Sequence, residues 1–170
     1  MSDLFPQQSR VFRRLTAACI ILLSALPFLG FDPRTINYTG LFQQRPVITW
    51  LCMGCALALQ CFLYFSALRQ TTRRYGLSLI LLIGVLLLMI IPYRNEQDLS
   101  TNLHLLLSFA VLVLLNVLVI EMLLLKPKLL SFYFAGCLFA FFLALTAASI
   151  NGLSELVYGA VLTLVLCECA

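Results

Sequence analysis

Residues 77–91 read LSLILLIGVLLLMII, and every position except Ser78 and Gly84 carries a large apolar side chain. A strand of a membrane barrel alternates apolar and polar residues over about 10 positions, and this stretch does not alternate. Backbone groups in lipid must form hydrogen bonds within their own segment. The stretch therefore predicts a membrane-spanning helix.

Five further stretches have the same character, and the whole chain is 62% hydrophobic and 11% charged. An ordinary soluble domain is about half apolar and a quarter charged, so the composition excludes a soluble domain, a disordered chain and a secreted disulfide-rich miniprotein. We predict an all-α bundle of six membrane helices that forms one integral membrane domain over residues 1–170. The predicted spans, each near the length of about 20 residues that a bilayer requires, cover residues 15–31, 47–68, 75–91, 103–125, 129–150 and 153–169.

Lysine and arginine predict the orientation of these spans, because both residues concentrate in cytoplasmic loops. Three of the 11 fall on the side away from the N-terminus, at Arg34, Arg45 and Arg94, and the others fall on the N-terminal side. This split over six spans places both termini in the cytoplasm. The net charge of +4 then reflects the anionic inner leaflet and does not predict nucleic-acid binding. Alternatively, residues 10–27 could be a cleaved signal peptide.

Small residues recur at every fourth position of the fifth span, at Gly136, Ala140, Ala144 and Ala148, and more briefly at Gly54 and Ala58 of the second. Such residues let helix backbones approach closely in lipid. We therefore expect these faces to pack against another helix of the chain or against a second copy. Gln60 and Asn116 lie in the middle of spans, where polar groups are costly, and should hydrogen-bond across helices.

Four titratable side chains share one predicted depth at the outer surface: Asp32, Asp98, His104 and Glu155. We predict that they form a polar pocket for a lipid headgroup or small ligand. A histidine with two carboxylates can hold a metal, and a histidine–carboxylate pair can act as an acid–base relay. Neither has diagnostic spacing here, so we assign no catalytic residue, no metal ligand and no cofactor. Alternatively, His104 and Glu155 cap helices and bond to each other, since the helix dipole favours an acid in the first turn.

Cys52 and Cys55 have the spacing of a redox motif near the outer end of the second span. A quinone-linked disulfide generator would also carry a second cysteine pair in an outer loop to pass electrons onward, and the predicted outer loops have none. We expect both cysteines to pack as small apolar residues, with a thiol-redox role as the alternative.

Several short motifs occur at the outer ends of the spans: TINYTG at residues 35–40, Pro92 at the end of the third span, His104, and GLSE at residues 152–155. Together they resemble the Frag/DRAM/Sfk-like six-transmembrane superfamily and its bacterial relatives. The resemblance implies a six-span fold, matches Gly40, His104 and Glu155 to its motif positions, and implies a role in lipid handling without an agreed catalytic mechanism. The chain departs from the pattern at Leu105, where asparagine is common.

The function we predict is that of a non-enzymatic integral membrane protein that binds membrane lipids or a partner, either another membrane protein or a second copy. The alternative is an intramembrane enzyme, lipid-processing with His104 and Asp98 or thiol-redox with Cys52 and Cys55. A small channel or transporter is disfavoured because few charges lie in the centres of the spans. The predicted location is the cytoplasmic membrane of a bacterium, or an endomembrane or plasma membrane of a eukaryote.

Overall fold

The computed structural model describes residues 10–68, 75–91, 99–147 and 149–170. These residues fold into seven α-helices and one short 3-10 helix, and they contain no strand. The helices are α1 (Arg10–Ala25), followed by the 3-10 helix (Leu26–Phe28), α2 (Tyr38–Gln44), α3 (Pro46–Ala67), α4 (Tyr75–Ile90), α5 (Leu99–Leu123), α6 (Pro127–Thr146) and α7 (Gly152–Cys169).

Five of these helices are long and apolar enough to cross a membrane: α1 with its 3-10 extension, α3, α5, α6 and α7. This confirms the prediction of an all-helical membrane protein. The sixth, α4, is apolar but has only 16 residues. Large apolar side chains also cover the exposed surface, including Leu125 at 94% and Ile90 at 71% exposure. Contiguous apolar surface is rare on soluble proteins, so this surface suits lipid.

The first span differs from its prediction at both ends. Helix is already present at Arg10, five residues before the predicted start at Leu15, because arginine is a good helix former. Regular α-helix stops at Ala25, where Pro27 supplies no backbone N–H, and the chain continues as the 3-10 helix.

A short helix that the sequence analysis did not predict, α2, precedes the second span. Asn37 begins it, and its side-chain Oδ1 accepts a hydrogen bond of 2.9 Å from the Gly40 N–H. Leu41 fixes the helix in the protein, since its side chain is fully buried. Pro46 then occupies the first turn of α3, where a missing N–H has no cost.

The chain divides into two packed units, residues 1–70 with 131–170 and residues 71–130. In the first unit α1, α3 and α7 pack against one another around fully buried side chains such as Leu63 and Val165. The Gln60 Nε2 donates a hydrogen bond of 3.0 Å to Thr163 Oγ1. This confirms that Gln60 hydrogen-bonds across helices.

The predicted face of small residues on α6 is confirmed at two positions. A Cβ added at Gly136 would lie 2.5 Å from Val161 Cγ2 of α7, and Ala140 is buried. Ala144 is partly exposed, and the Ala148 side chain lies outside the described residues. The shorter face on α3 does not pack against a described helix, because a Cβ at Gly54 would meet no described atom within 4 Å.

In the second unit α4 packs against α5. A Cβ added at Gly84 would lie 2.7 Å from Val111 Cγ2, so glycine sets the closeness of these two helices. Within α5 the Asn116 Nδ2 donates a hydrogen bond of 2.8 Å to Leu112 O, one turn earlier.

Candidate functional site

Glu155 lies on the first turn of α7, and its carboxylate faces the segment between α1 and α3. The backbone N–H of Tyr38 donates a hydrogen bond of 2.9 Å to Glu155 Oε2. No described residue bonds to the second carboxylate oxygen. The contact ties the start of α7 to the start of α2.

Tyr38 is held at its backbone and at its phenol. The phenol donates a hydrogen bond of 2.8 Å to Ser24 O, near the end of α1, where carbonyls run out of helical partners. Its ring packs edge-on against Phe28 with the centroids 5.0 Å apart. Burial raises the pKa of the phenol well above its ordinary value, and the charge of Glu155 raises it further. Tyr38 therefore stays neutral and acts as a donor.

The start of α7 is built by a reciprocal cap. The Ser154 N–H donates to Asn151 Oδ1 at 2.9 Å, and the Asn151 N–H is 3.3 Å from Ser154 Oγ, which is the capping-box arrangement. Two further N–H groups at this helix start form hydrogen bonds with the segment after α1. Gly152 donates to Ile36 O, and Leu153 donates to Pro33 O, each at 2.9 Å. The donors that a helix start leaves unpaired are thus used to bind that segment.

Close packing completes this contact. A Cβ added at Gly152 would overlap the Phe28 ring and the carbonyl oxygen of Ile36, so only glycine fits there. At the far end of the segment Arg45 Nη1 donates a hydrogen bond of 2.7 Å to Leu29 O. The same guanidinium lies 4.5 Å from the centre of the Phe31 ring, a cation–π contact. We call the contact between residues 28–45 and residues 151–155 the loop clasp.

Of the four residues predicted to form one polar pocket, the three that the structure describes each have a hydrogen-bond partner outside that set. The Asp32 Oδ1 accepts a hydrogen bond of 2.9 Å from the Arg34 N–H in a local turn. Asp98 lies outside the described residues. In the second unit the His104 Nδ1 lies 2.8 Å from Ile91 O, and since a carbonyl can only accept, Nδ1 carries the proton. The imidazole thereby bonds a carbonyl just beyond the end of α4. The grouping of these four side chains stays a prediction.

Sequence reasoning identified Glu155 but missed Tyr38, which bonds to it in the loop clasp, and Ser24, whose carbonyl accepts the hydrogen bond of the Tyr38 phenol. One available signal was Asn37, since asparagine is a preferred N-cap residue. Another was the pair Asn151 and Ser154, whose spacing of three fits a capping box. Both signals mark helix starts, but neither indicates that the two starts touch.

A groove of about 210 Å³ lies beside the loop clasp, between α1 and α7. Its lining is almost wholly apolar: Ile21, Ser24 and Ala25 of α1, and Leu156, Val157, Gly159, Ala160 and Thr163 of α7. Thr163 Oγ1 already donates a hydrogen bond of 2.7 Å to Gly159 O. A Cβ added at Gly159 would meet no described atom within 4 Å, so this glycine leaves the groove open.

One end of the groove meets the loop clasp through neighbouring residues. Leu156 of the lining directly follows Glu155 in the chain. Ser24 of the lining accepts, at its backbone carbonyl, the hydrogen bond that the Tyr38 phenol donates. The groove and the loop clasp therefore adjoin each other at the start of α7 and the end of α1.

The cysteine pair considered for redox chemistry is present as free thiols, with Cys52 buried and Cys55 exposed. Within the described ranges no group of three His, Cys, Asp or Glu side chains could hold a metal ion. The redox alternative stays untested.

Glu155 Oε2 accepts a hydrogen bond from the Tyr38 backbone N–H, and the Tyr38 hydroxyl donates one to the Ser24 carbonyl. Both side chains therefore connect parts of the fold, and they do not face each other as an acid and a base. No protein-family model, curated protein or solved structure matches this chain. Grooves between helices with a mostly apolar lining are common places for apolar ligands to bind.

Proposed function

We propose that this chain is a non-enzymatic integral membrane protein that binds a membrane lipid, with one acyl chain lying in the groove between α1 and α7. The groove is the observation that carries the proposal. Its volume of about 210 Å³ is below the range of roughly 300–1,000 Å³ typical of pockets for whole small molecules. It therefore suits part of an apolar chain rather than a complete polar ligand.

The headgroup of this lipid would lie at the loop clasp. One Glu155 oxygen is occupied by the Tyr38 N–H, and a carboxylate has acceptor capacity for further donors. A hydroxyl or an ammonium group would form a charge-assisted hydrogen bond there, whereas a bare phosphate would be repelled. The proposal therefore favours a lipid with donors in its headgroup.

We also propose six crossings with both termini in the cytoplasm, as the distribution of lysine and arginine favours. A helix with the 16 residues of α4 is about 24 Å long, somewhat shorter than a hydrocarbon core of about 30 Å. Local thinning of the bilayer can accommodate such a difference. The resemblance to the Frag/DRAM/Sfk-like superfamily implies the same class of lipid-handling membrane protein.

The test is photocrosslinking of the full chain in nanodiscs that contain a phosphatidylethanolamine with a diazirine in its acyl chain. We expect crosslinked peptides from residues 21–25 and 156–163. Gly159→Leu should remove this labelling, because the new side chain fills the groove and its Cβ has open space. The matched control is Gly54→Leu, since a Cβ at Gly54 also meets no described atom within 4 Å.

Two results would contradict the proposal. One is labelling in Gly159→Leu that equals the wild type. The other is wild-type labelling spread evenly over all apolar surfaces, which would describe general lipid contact rather than a site.

A further inference from the structure

Two buried polar atoms have no hydrogen-bond partner among the residues that the structure describes: Arg13 Nε and Ser66 Oγ. Buried polar groups are nearly always bonded, and leaving a buried donor unbonded is unfavourable. These two atoms need a partner that the described residues do not supply.

Both atoms lie at one end of the first unit, where α1 begins and α3 ends. Phe12, which precedes Arg13, stacks edge-on with Phe62 of α3 at a centroid distance of 6.5 Å. Ser66 follows Phe62 by one turn on the same helix face. Side chains of a helix point back toward its N-terminus, so the Arg13 side chain is directed toward the same end as Ser66.

The charges at this end are mainly positive. Arg10 and Arg14 flank Arg13 on α1 and are exposed, and Glu168 is exposed on the last turn of α7. Cys167, beside Glu168, is within electrostatic range of both Arg13 and Arg14, which brings the end of α7 to the same place. No ion pair joins Arg13 to an acid in the described part of the chain.

We propose that Arg13 and Ser66 bind a phosphate group at this end of the first unit. A guanidinium presents a rigid fork of N–H donors that matches phosphate oxygens, and a serine hydroxyl can donate to a third oxygen. The phosphate is either part of a phospholipid headgroup or a free phosphate ion. The location of Arg13 at the end of a membrane helix favours the lipid, because basic side chains there attract anionic headgroups.

This site goes beyond the proposed function and does not depend on it. Arg13 precedes Ile21, the nearest groove residue on α1, by eight helical residues, which corresponds to about 12 Å along α1. The lining of the groove is almost wholly apolar, whereas this site is cationic and requires an acceptor.

The experiment is a binding titration of the full chain, purified in a neutral detergent, with dihexanoyl phosphatidic acid, dihexanoyl phosphatidylcholine and inorganic phosphate. We expect Arg13→Gln to weaken binding of phosphatidic acid by about tenfold or more, since hydrogen bonds to a charged group are lost. Arg14→Gln makes the same change of charge on the exposed neighbour and should weaken binding by less than about threefold.

Two variants keep the test decisive if Arg13→Gln does not fold. Arg13→Lys keeps the positive charge but loses Nε and the forked arrangement of N–H donors. Ser66→Ala removes only the hydroxyl. Each change should weaken binding by a few-fold. Gly159→Leu should leave it unchanged, which separates this site from the groove.

The outcomes are distinct. Preference for phosphatidic acid over inorganic phosphate, with loss in the Arg13 variants, supports a headgroup site. Equal binding of inorganic phosphate with the same loss supports a site for free phosphate. Equal loss in Arg13→Gln and Arg14→Gln, wild-type affinity in Arg13→Lys and Ser66→Ala, or equal binding of phosphatidylcholine and phosphatidic acid would overturn the proposal.

Discussion

The backbone N–H of Tyr38 reaches the carboxylate of Glu155, 117 positions later in the chain, in a hydrogen bond of 2.9 Å. Each residue stands on the first turn of its helix. The bond therefore joins two helix starts and closes the segment that follows α1 over the start of α7.

Glu155→Ala should destabilise the protein by about 1–3 kcal/mol, because the Tyr38 N–H would lose its acceptor in a largely buried place. Glu155→Gln should cost less, since an amide oxygen can still accept. Thermal unfolding in detergent measures both effects. The control is Glu168→Ala, an exposed change expected to fall within about 0.5 kcal/mol of the wild type. Equal losses in all three variants would show that the bond to Tyr38 has no special weight.

His104→Ala should weaken the end of α4 by about 0.5–1.5 kcal/mol, because Ile91 O would lose the Nδ1–H donor 2.8 Å away. Hydrogen exchange at residues 85–91 measures this local opening. His104→Asn should restore part of the protection, since its amide nitrogen can replace Nδ1. If His104 instead serves a functional pocket, His104→Asn would abolish lipid binding while exchange at α4 stays at the wild-type level.

Gly136→Ala should destabilise the contact of α6 with α7 by about 1–3 kcal/mol, since its Cβ would lie 2.5 Å from Val161 Cγ2. Val161→Ala in the same chain should recover much of this loss by making room. Thermal unfolding of the single and double variants measures the coupling. Gly54→Ala is the control, and it should be neutral or stabilising because alanine favours helix by about 1 kcal/mol. Additive effects of the Gly136 and Val161 changes would refute the predicted contact.

The orientation can be tested by cysteine labelling on a cysteine-free background. The distribution of lysine and arginine predicts that Gln97→Cys reacts with an impermeant maleimide in intact cells. Gln70→Cys should react only after the membrane is made permeable. Labelling of Gln70→Cys in intact cells would reverse the predicted orientation.

The apolar helices could be predicted because a membrane span is recognised by a local count of apolar residues over about 20 positions. Residues such as Pro46 and the pair Asn151 and Gly152 mark helix boundaries in the same local way. The helix α2 was not predicted, because it has only seven residues and no apolar run. The extent of α1 also differed from its prediction, because the arginines before Leu15 and Pro27 near the other end act through backbone propensity rather than hydropathy.

The sequence by itself thus determined the helical class and most of the spans, and it marked Glu155 as a candidate, because an acid at the edge of an apolar run is conspicuous. Only the tertiary structure decided what Glu155 touches and where the groove lies. The Tyr38 N–H, the Ser24 carbonyl and the open space at Gly159 are backbone features that many sequences share. Which donor meets which acceptor depends on how α1, α2 and α7 pack, and no local pattern of residues specifies that packing.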